Sequence, residues 1–156
     1  MGVVTLVIGE SGTGKSTSIR NMNPDATFIF QVIKKPLPFK GGKFSKEKGN
    51  IFVTDSYESI INGLKKLDKQ SKYTDIIIDD SQYIMANEFM RRAKEKGFEK
   101  FTEIGEHYWR LLECCNECEN LNIFILSHSE ETDNGKTKIK TIGKLLDDKI
   151  TIEGMF

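Results

Sequence analysis

The sequence predicts an α/β fold, three layers built around a mostly parallel sheet of five strands. Three observations carry that expectation. Apolar runs that read as strands alternate with amphipathic runs that read as helices along the whole chain. The apolar run at residues 3–8 leads directly into Gly9-Glu10-Ser11-Gly12-Thr13-Gly14-Lys15-Ser16-Thr17, which satisfies G-x-x-x-x-G-K-[ST] between a strand and a helix-competent segment. Finally, Ile76-Ile77-Ile78 is apolar without alternation, as in a central strand covered on both faces, and it ends in the acidic pair Asp79-Asp80.

Taken in order, the first strand covers residues 3–8 and a helix is expected over 16–22, stopped by Asn21-Met22-Asn23-Pro24-Asp25. The second strand is expected at 26–33. Residues 36–50 carry Gly41, Gly42 and Gly49 with Lys40, Lys43, Lys46 and Lys48, and read as an exposed, mobile loop. That loop is either solvated surface or a lysine-rich flap, flanked by Lys34 and Lys35, near a nucleotide or nucleic acid. A short third strand follows at 51–54.

Asp55-Ser56-x-Glu58 looks like a helix start, and Ile60, Ile61, Leu64 and Leu67 give the helix an apolar face that ends near Lys69. The fourth strand is expected at 73–80 and a helix at 81–96, with Tyr83, Ile84, Phe89 and Met90 inward and Arg91, Arg92, Lys94 and Lys96 outward before Gly97. A long helix is expected at 103–119, its apolar side marked by Ile104, Tyr108, Leu111, Leu112, Cys115 and Cys118. The fifth strand covers 121–126 and runs into Ser127-His128-Ser129-Glu130-Glu131. Asp133-Asn134-Gly135 is a turn, and Lys136, Lys138, Lys140 and Lys144 follow it.

The 156 residues fit a single domain, long enough to bury ~70% of the surface of its unfolded chain. Basic and acidic residues balance at 23 each, so no global field draws the chain to nucleic acid, and any such contact must come from a local patch. The first strand begins at residue 3, which leaves no room before it for a signal peptide, and no apolar run approaches a membrane span. A cytoplasmic protein with no membrane contact is therefore expected. Cys114, Cys115 and Cys118 lie on one predicted helix and suit reduced thiols on a packed face; half of a zinc site is the alternative.

The chemistry begins at the glycine-rich loop. Gly9, Gly12 and Gly14 allow backbone conformations that turn successive N–H groups toward an anion, and a helix starting near Gly14 would add its positive end. Lys15 suits the β- and γ-phosphates of a nucleotide, and the Ser16 hydroxyl suits Mg²⁺. The loop from Gly9 through Glu10, Ser11, Gly12, Thr13, Gly14, Lys15 and Ser16 to Thr17 is thus the expected cradle for ATP. Asp79, at a strand tip, is the expected second Mg²⁺ ligand.

Many P-loop ATPases place a glutamate where Asp80 stands, to orient or deprotonate the attacking water. Asp80 is shorter by a methylene, and it is a catalytic base, an outer Mg²⁺ partner or a helix N-cap; Gln82 or Glu10 could share the task. Ser127 or His128, at the tip of the next strand, is a candidate to sense the γ-phosphate. Hydrogen bonding to nearby loops is the plainer role for that pair.

With these motifs placed, the chain resembles the phage-type AAA-family P-loop ATPases with a RecA-like core, a group that includes single-strand annealing and recombination proteins. Beyond the P-loop, the resemblance rests on Lys35-Pro36-Leu37-Pro38-Phe39-Lys40-Gly41, on Ile78-Asp79-Asp80-Ser81-Gln82-Tyr83 with Met85-Ala86-Asn87-Glu88-Phe89-Met90, on Ser127-His128-Ser129-Glu130-Glu131, and on Lys140-Thr141-Ile142-Gly143-Lys144-Leu145-Leu146-Asp147-Asp148-Lys149. It implies that the 123–126 strand lies between the P-loop strand and the Asp79 strand. It also implies Mg-ATP hydrolysis, a homo-oligomer, and the host cytoplasm for a phage-encoded chain. The lysines Lys136, Lys138, Lys140 and Lys144 would then reach single-stranded DNA or a neighbour's nucleotide. Domains of this group carry further strands after the segment corresponding to Ile150-Thr151-Ile152-Glu153-Gly154.

Two other functions fit the same motifs. One is a nucleotide-dependent switch or partner-binding module with little hydrolysis. The other is a small-molecule or nucleotide kinase, which normally needs an arginine-rich lid, whereas Arg91, Arg92 and Arg110 fall on predicted helices. No guanine-reading N-K-x-D stretch is present, which favours ATP.

Overall fold

A computed structural model describes residues 2–10, 12–39, 41–131, 137–139 and 155. Five strands form one all-parallel sheet: β1 (Val4–Gly9), β2 (Thr27–Gln31), β3 (Ile51–Val53), β4 (Asp75–Asp79) and β5 (Asn122–Glu131), in the order β1-β5-β4-β2-β3. The strand after the last helix therefore does sit between the P-loop strand and the Asp79 strand. Asp79 faces Gln31 across the β2–β4 pairing, and Gly9 faces His128 across β1–β5. The carboxyl ends of β1, β2, β4 and β5 thus meet at one edge of the sheet, where α/β proteins bind ligands.

Alternation along the central strands sends side chains into two apolar layers. On one face Phe30, Ile76, Ile78, Ile123 and Ile125 pack against α1 (Tyr57–Lys69), α2 (Gln82–Arg91) and α3 (Glu99–Glu117). Ile60 and Leu64 of α1 and Ile104, Tyr108 and Leu111 of α3 are buried there, each contributing roughly 1.5–3 kcal/mol by leaving water. On the other face Ile29, Ile77 and Leu126 meet Ile19, Phe44, Leu37 and Phe39. That second covering layer differs from the expectation in two ways.

First, the segment after the P-loop is a 3-10 helix, Ser16–Asn21, rather than an α-helix. Its hydroxyl-bearing residues favour turns over helix interiors, and Pro24 stops the segment before a second α-turn can form. The macrodipole expected from this helix is accordingly small, so anion binding falls to the loop N–H groups and Lys15. Second, the described residues of 36–50 are largely exposed, as expected, but the segment is anchored at two buried side chains. Phe44 is buried and meets Phe39 edge-on at 6.4 Å, while the buried Asn50 amide donates to Pro24 O at 3.2 Å and Lys43 O at 2.8 Å.

The helix bounds also move. α1 starts where the Ser56 hydroxyl accepts from the Ser59 N–H at 3.2 Å. α2 ends at Arg91, short of the expected 96, and the Lys100 ammonium satisfies the freed carbonyls of Arg92, Ala93 and Glu95 at 3.4, 3.4 and 2.9 Å. Met90, expected inward, is exposed. Cys114, Cys115 and Cys118 are free and buried on the packed side of α3 and at its C-cap. β5 continues to Glu131 and pairs with β6 (Thr137–Ile139) in an antiparallel hairpin that the sequence reading does not anticipate. Among the described residues no helix is long and apolar enough to cross a membrane.

Candidate nucleotide site

The loop after β1 turns where it does because Gly12 and Gly14 take φ of 81° and 91°, in the left-handed region that side chains avoid. At Gly9 the constraint is space: an added Cβ would lie 2.6 Å from Thr13 Oγ1. Thr13 Oγ1 in turn donates to Glu10 O at 2.7 Å, closing the loop on itself. Lys15 folds back across this turn, its ammonium donating to Gly9 O at 2.7 Å and Glu10 O at 2.8 Å. Those two carbonyls hold the charge at the mouth of the site. Desolvation lowers the Lys15 pKa, against the pull of Asp80 and Asp79.

Ser16 Oγ donates to both carboxylate oxygens of Asp79, at 2.9 and 3.1 Å. The pair joins the P-loop to β4. Asp79 is 1% exposed, and burial together with the neighbouring Asp80 charge raises its pKa. A hydroxyl and a carboxylate converging at hydrogen-bond distance form a hard-oxygen donor set that fits Mg²⁺, which keeps most of its ligands as water and phosphate oxygens.

Asp80 has φ 58° and is, among the described residues, the only non-glycine in the positive-φ region. The turn points its carboxylate away from α2, whose N-cap is Ser81 and lacks a side-chain cap bond. The N-cap role for Asp80 is thereby corrected. Its Oδ2 lies 2.5 Å from Lys35 Nζ, an ion-pair contact outside directed hydrogen-bond geometry, and its Oδ1 lies 3.6 Å from His128 Nε2. Burial pulls the Lys35 pKa down, but the Asp80 contact outweighs it and the net shift is upward.

A cavity of about 250 Å³ opens between these groups, lined by Gly12, Gly14, Lys15, Ser16 and Thr17 of the loop and by Lys35, Asp80 and His128 opposite. Five candidates from distant parts of the sequence, Lys15, Ser16, Asp79, Asp80 and His128, are thus gathered at the ends of β1 and β4 and at the β5 residue that faces Gly9. Ser127 is not at the cavity: it is fully buried and donates to Gln82 Oε1 at 3.1 Å, which also accepts from the His128 N–H at 3.0 Å. Those two hydrogen bonds occupy the Gln82 oxygen, and the exposed Glu10 accepts from Lys15 through its backbone carbonyl. Ser11, Lys136, Lys140 and Lys144 lie outside the described residues, and Lys138 is placed on β6.

Lys35 enters the sequence reading only as a flank of the lysine-rich segment and as part of a family-like block, and Gln31, which supports it, not at all. Their roles depend on β2 lying beside β4, an adjacency that strand order decides and local pattern does not.

A five-stranded parallel sheet with this loop at β1 and this carboxylate at β4 defines a P-loop nucleotide-binding protein of the RecA-like class. The chain belongs to the AAA domain family, whose model matches residues 1–153. No curated protein matches it. Membership makes it one of a family of nucleotide-binding ATPases.

Proposed function

We propose that the chain binds and hydrolyses Mg-ATP and acts on single-stranded DNA as a homo-oligomer, in phage recombination or replication. The observation that carries the nucleotide half is the Ser16–Asp79 hydrogen bond at the mouth of the cavity that Lys15 and Asp80 line. In this reading Lys15 leaves the carbonyls of Gly9 and Glu10 for the β- and γ-phosphates. Ser16 and Asp79 hold Mg²⁺, which when bound neutralises charge on the transferring phosphoryl group. Asp80 orients the attacking water and accepts its proton, and His128 senses the terminal phosphate.

The DNA half draws its support from charge pattern and position. Lys136, Lys138, Lys140 and Lys144 follow β5, the strand that bears His128, closely in sequence, a basic run suited to phosphates of DNA or of a neighbour's nucleotide. The three free, buried thiols fit the reducing cytoplasm. Phosphate release measured with and without single-stranded DNA, at two salt concentrations, tests both halves. Stimulation that fades with salt is expected. Release without stimulation or DNA binding would remove the DNA half and leave the ATPase.

A second reading, a nucleotide-dependent switch with little turnover, is favoured by one observation: Asp80 is engaged by Lys35. Tight ATP binding with no phosphate release, unchanged by DNA, would select it. The kinase reading loses ground, because Arg91, Arg92 and Arg110 are each paired with carboxylates on or beside the helices that carry them.

A further inference from the structure

The cavity holds a second lysine that the P-loop does not supply. Lys35 lies four residues beyond Gln31, the last residue of β2, and its backbone is fixed from two directions. The buried Gln31 side chain donates from Nε2 to Lys35 O at 2.8 Å, and Pro36 confines Lys35 to extended backbone. Gln31 itself faces Asp79 in the sheet. The result is a lysine whose main chain is tied to β2, the neighbour of the Asp79 strand, while its side chain, 39% exposed, spans the cavity to Asp80, whose own side chain is 4% exposed.

The charges at this end of the sheet balance. Lys15 and Lys35 face Asp79 and Asp80, and each lysine lies in the field of both aspartates and, for Lys15, of the other lysine. An incoming terminal phosphate adds negative charge next to two buried carboxylates, a like-charge arrangement that is costly unless a cation moves to it. Asp79 and Ser16 are committed to the metal side, and Lys15 to the loop side. Lys35 is the remaining cation on the cavity wall among the described residues. A lysine suits the exchange, since its ammonium is a point charge with three rotatable donors on a flexible stem and needs no fixed planar partner.

We propose that Lys35 is the residue by which this site distinguishes a nucleoside triphosphate from a diphosphate. It holds Asp80 while no terminal phosphate is present, and it transfers to the terminal phosphate oxygens when a triphosphate is seated. The proposal rests on the reading of the cavity as an ATP site. Once released, Asp80 retains His128 Nε2 beside Oδ1 and has Oδ2 open to water. The water oxygen then bonds to the terminal phosphorus as the bond from that phosphorus to the bridging oxygen breaks. The electron pair leaves with the diphosphate, and the water proton passes to the Asp80 carboxylate and on to the released phosphate.

Binding of Mg-ADP and of a non-hydrolysable Mg-ATP analogue to the full chain, by calorimetry, tests this without turnover. Lys35→Gln is expected to weaken the analogue about tenfold, the scale of one charge-assisted contact, while ADP shifts less than about twofold. Asp80→Asn, which frees Lys35 in advance, is expected to tighten the analogue several-fold and leave ADP unchanged. In the double variant that gain disappears. ADP affinity also reports that each variant is folded, and Lys35→Arg, keeping the charge, should retain part of the discrimination. Equal weakening of both nucleotides by Lys35→Gln, or no weakening of either, overturns the proposal. If the unaltered chain binds neither nucleotide, the ATP-site reading falls and this proposal falls with it.

Discussion

Tyr108, fully buried in the middle of α3, shares a hydrogen bond of 3.0 Å with the Ser81 hydroxyl, one residue after Asp80. The Ser81 N–H donates to Leu126 O on β5 at 2.9 Å, so the turn that carries Asp80 is held by a helix on one side and a strand on the other. That double tie lets Asp80 keep a backbone conformation that costs about 1–3 kcal/mol when unsupported. Tyr108→Phe strands the Ser81 hydroxyl and should lower stability by about 1–2 kcal/mol in urea unfolding with an unchanged m-value. The Ser81→Ala/Tyr108→Phe double variant should lose less than the two single losses combined. A Tyr108→Phe protein as stable as the parent would dismiss the anchor.

The positive φ of Asp80 can be read directly from a pair of variants. Asp80→Gly and Asp80→Ala both lose the carboxylate and its contact with Lys35, and they differ only in how well they accept φ 58°. The glycine variant should be the more stable by about 1 kcal/mol in thermal unfolding. Equal stabilities would mean that the turn relaxes in solution.

Asp79 makes the molecule pH-sensitive in a definite direction. Its pKa is raised by burial first and by the Asp80 charge second. A carboxyl that binds its proton more tightly when folded than when unfolded loses stability as pH rises between the two pKa values. In the absence of metal, Asp79→Asn escapes that loss. Its stability relative to the parent should therefore climb as pH rises from the ordinary aspartate range through the raised value, then level off. A difference that is flat with pH would count against a raised Asp79.

Lys15 should contribute to binding rather than to the fold, since among the described residues its ammonium donates to loop carbonyls at the cavity mouth. At a nucleotide concentration of about 100 times Kd, Mg-ATP should stabilise the parent by about 2.7 kcal/mol. Lys15→Ala should show no such rise in Tm while its ligand-free Tm stays within a few degrees of the parent. A retained nucleotide shift in Lys15→Ala would move the binding site elsewhere.

Away from the site, Gly63 sets how closely α1 approaches the sheet: a Cβ there would lie 2.7 Å from Phe30 Cζ. Gly63→Ala adds a methyl where none fits, at about 1–3 kcal/mol, against roughly 0.5–1 kcal/mol returned by helix propensity. A net loss is expected in chemical denaturation, and a net gain would show that Phe30 yields.

The strand–helix alternation, the P-loop and the Asp79 strand are legible from the chain because each is a local pattern with its own period or spacing. The position of the 123–126 strand between them is implied by family resemblance, and the pairings of β5 with β1 and β4 match it. What local pattern does not carry is contact across the sheet. Lys35 looks like one lysine among many until β2 lies beside β4, and Ser127 and His128 look equivalent until the strand register sends one to Gln82 and the other to the cavity. Length also escaped: Pro24 marks where the segment after the P-loop stops, but not that the remaining turn is too short to be α-helical. The burial of Phe44 under Ile29 and Ile77 is hidden behind a glycine- and lysine-rich composition that reads as solvent-exposed.

β5 has one more consequence. Residues 123–125 are paired on both sides, with β1 and with β4, residues 126–128 continue on β1 alone, and the last three residues pair with β6. A ten-residue strand spans roughly 33 Å and resists bending where it is paired on both sides. His128 on the cavity wall and the hairpin are therefore consecutive stations of one extended strand, His128 facing Gly9 and Ser129 facing Ile139.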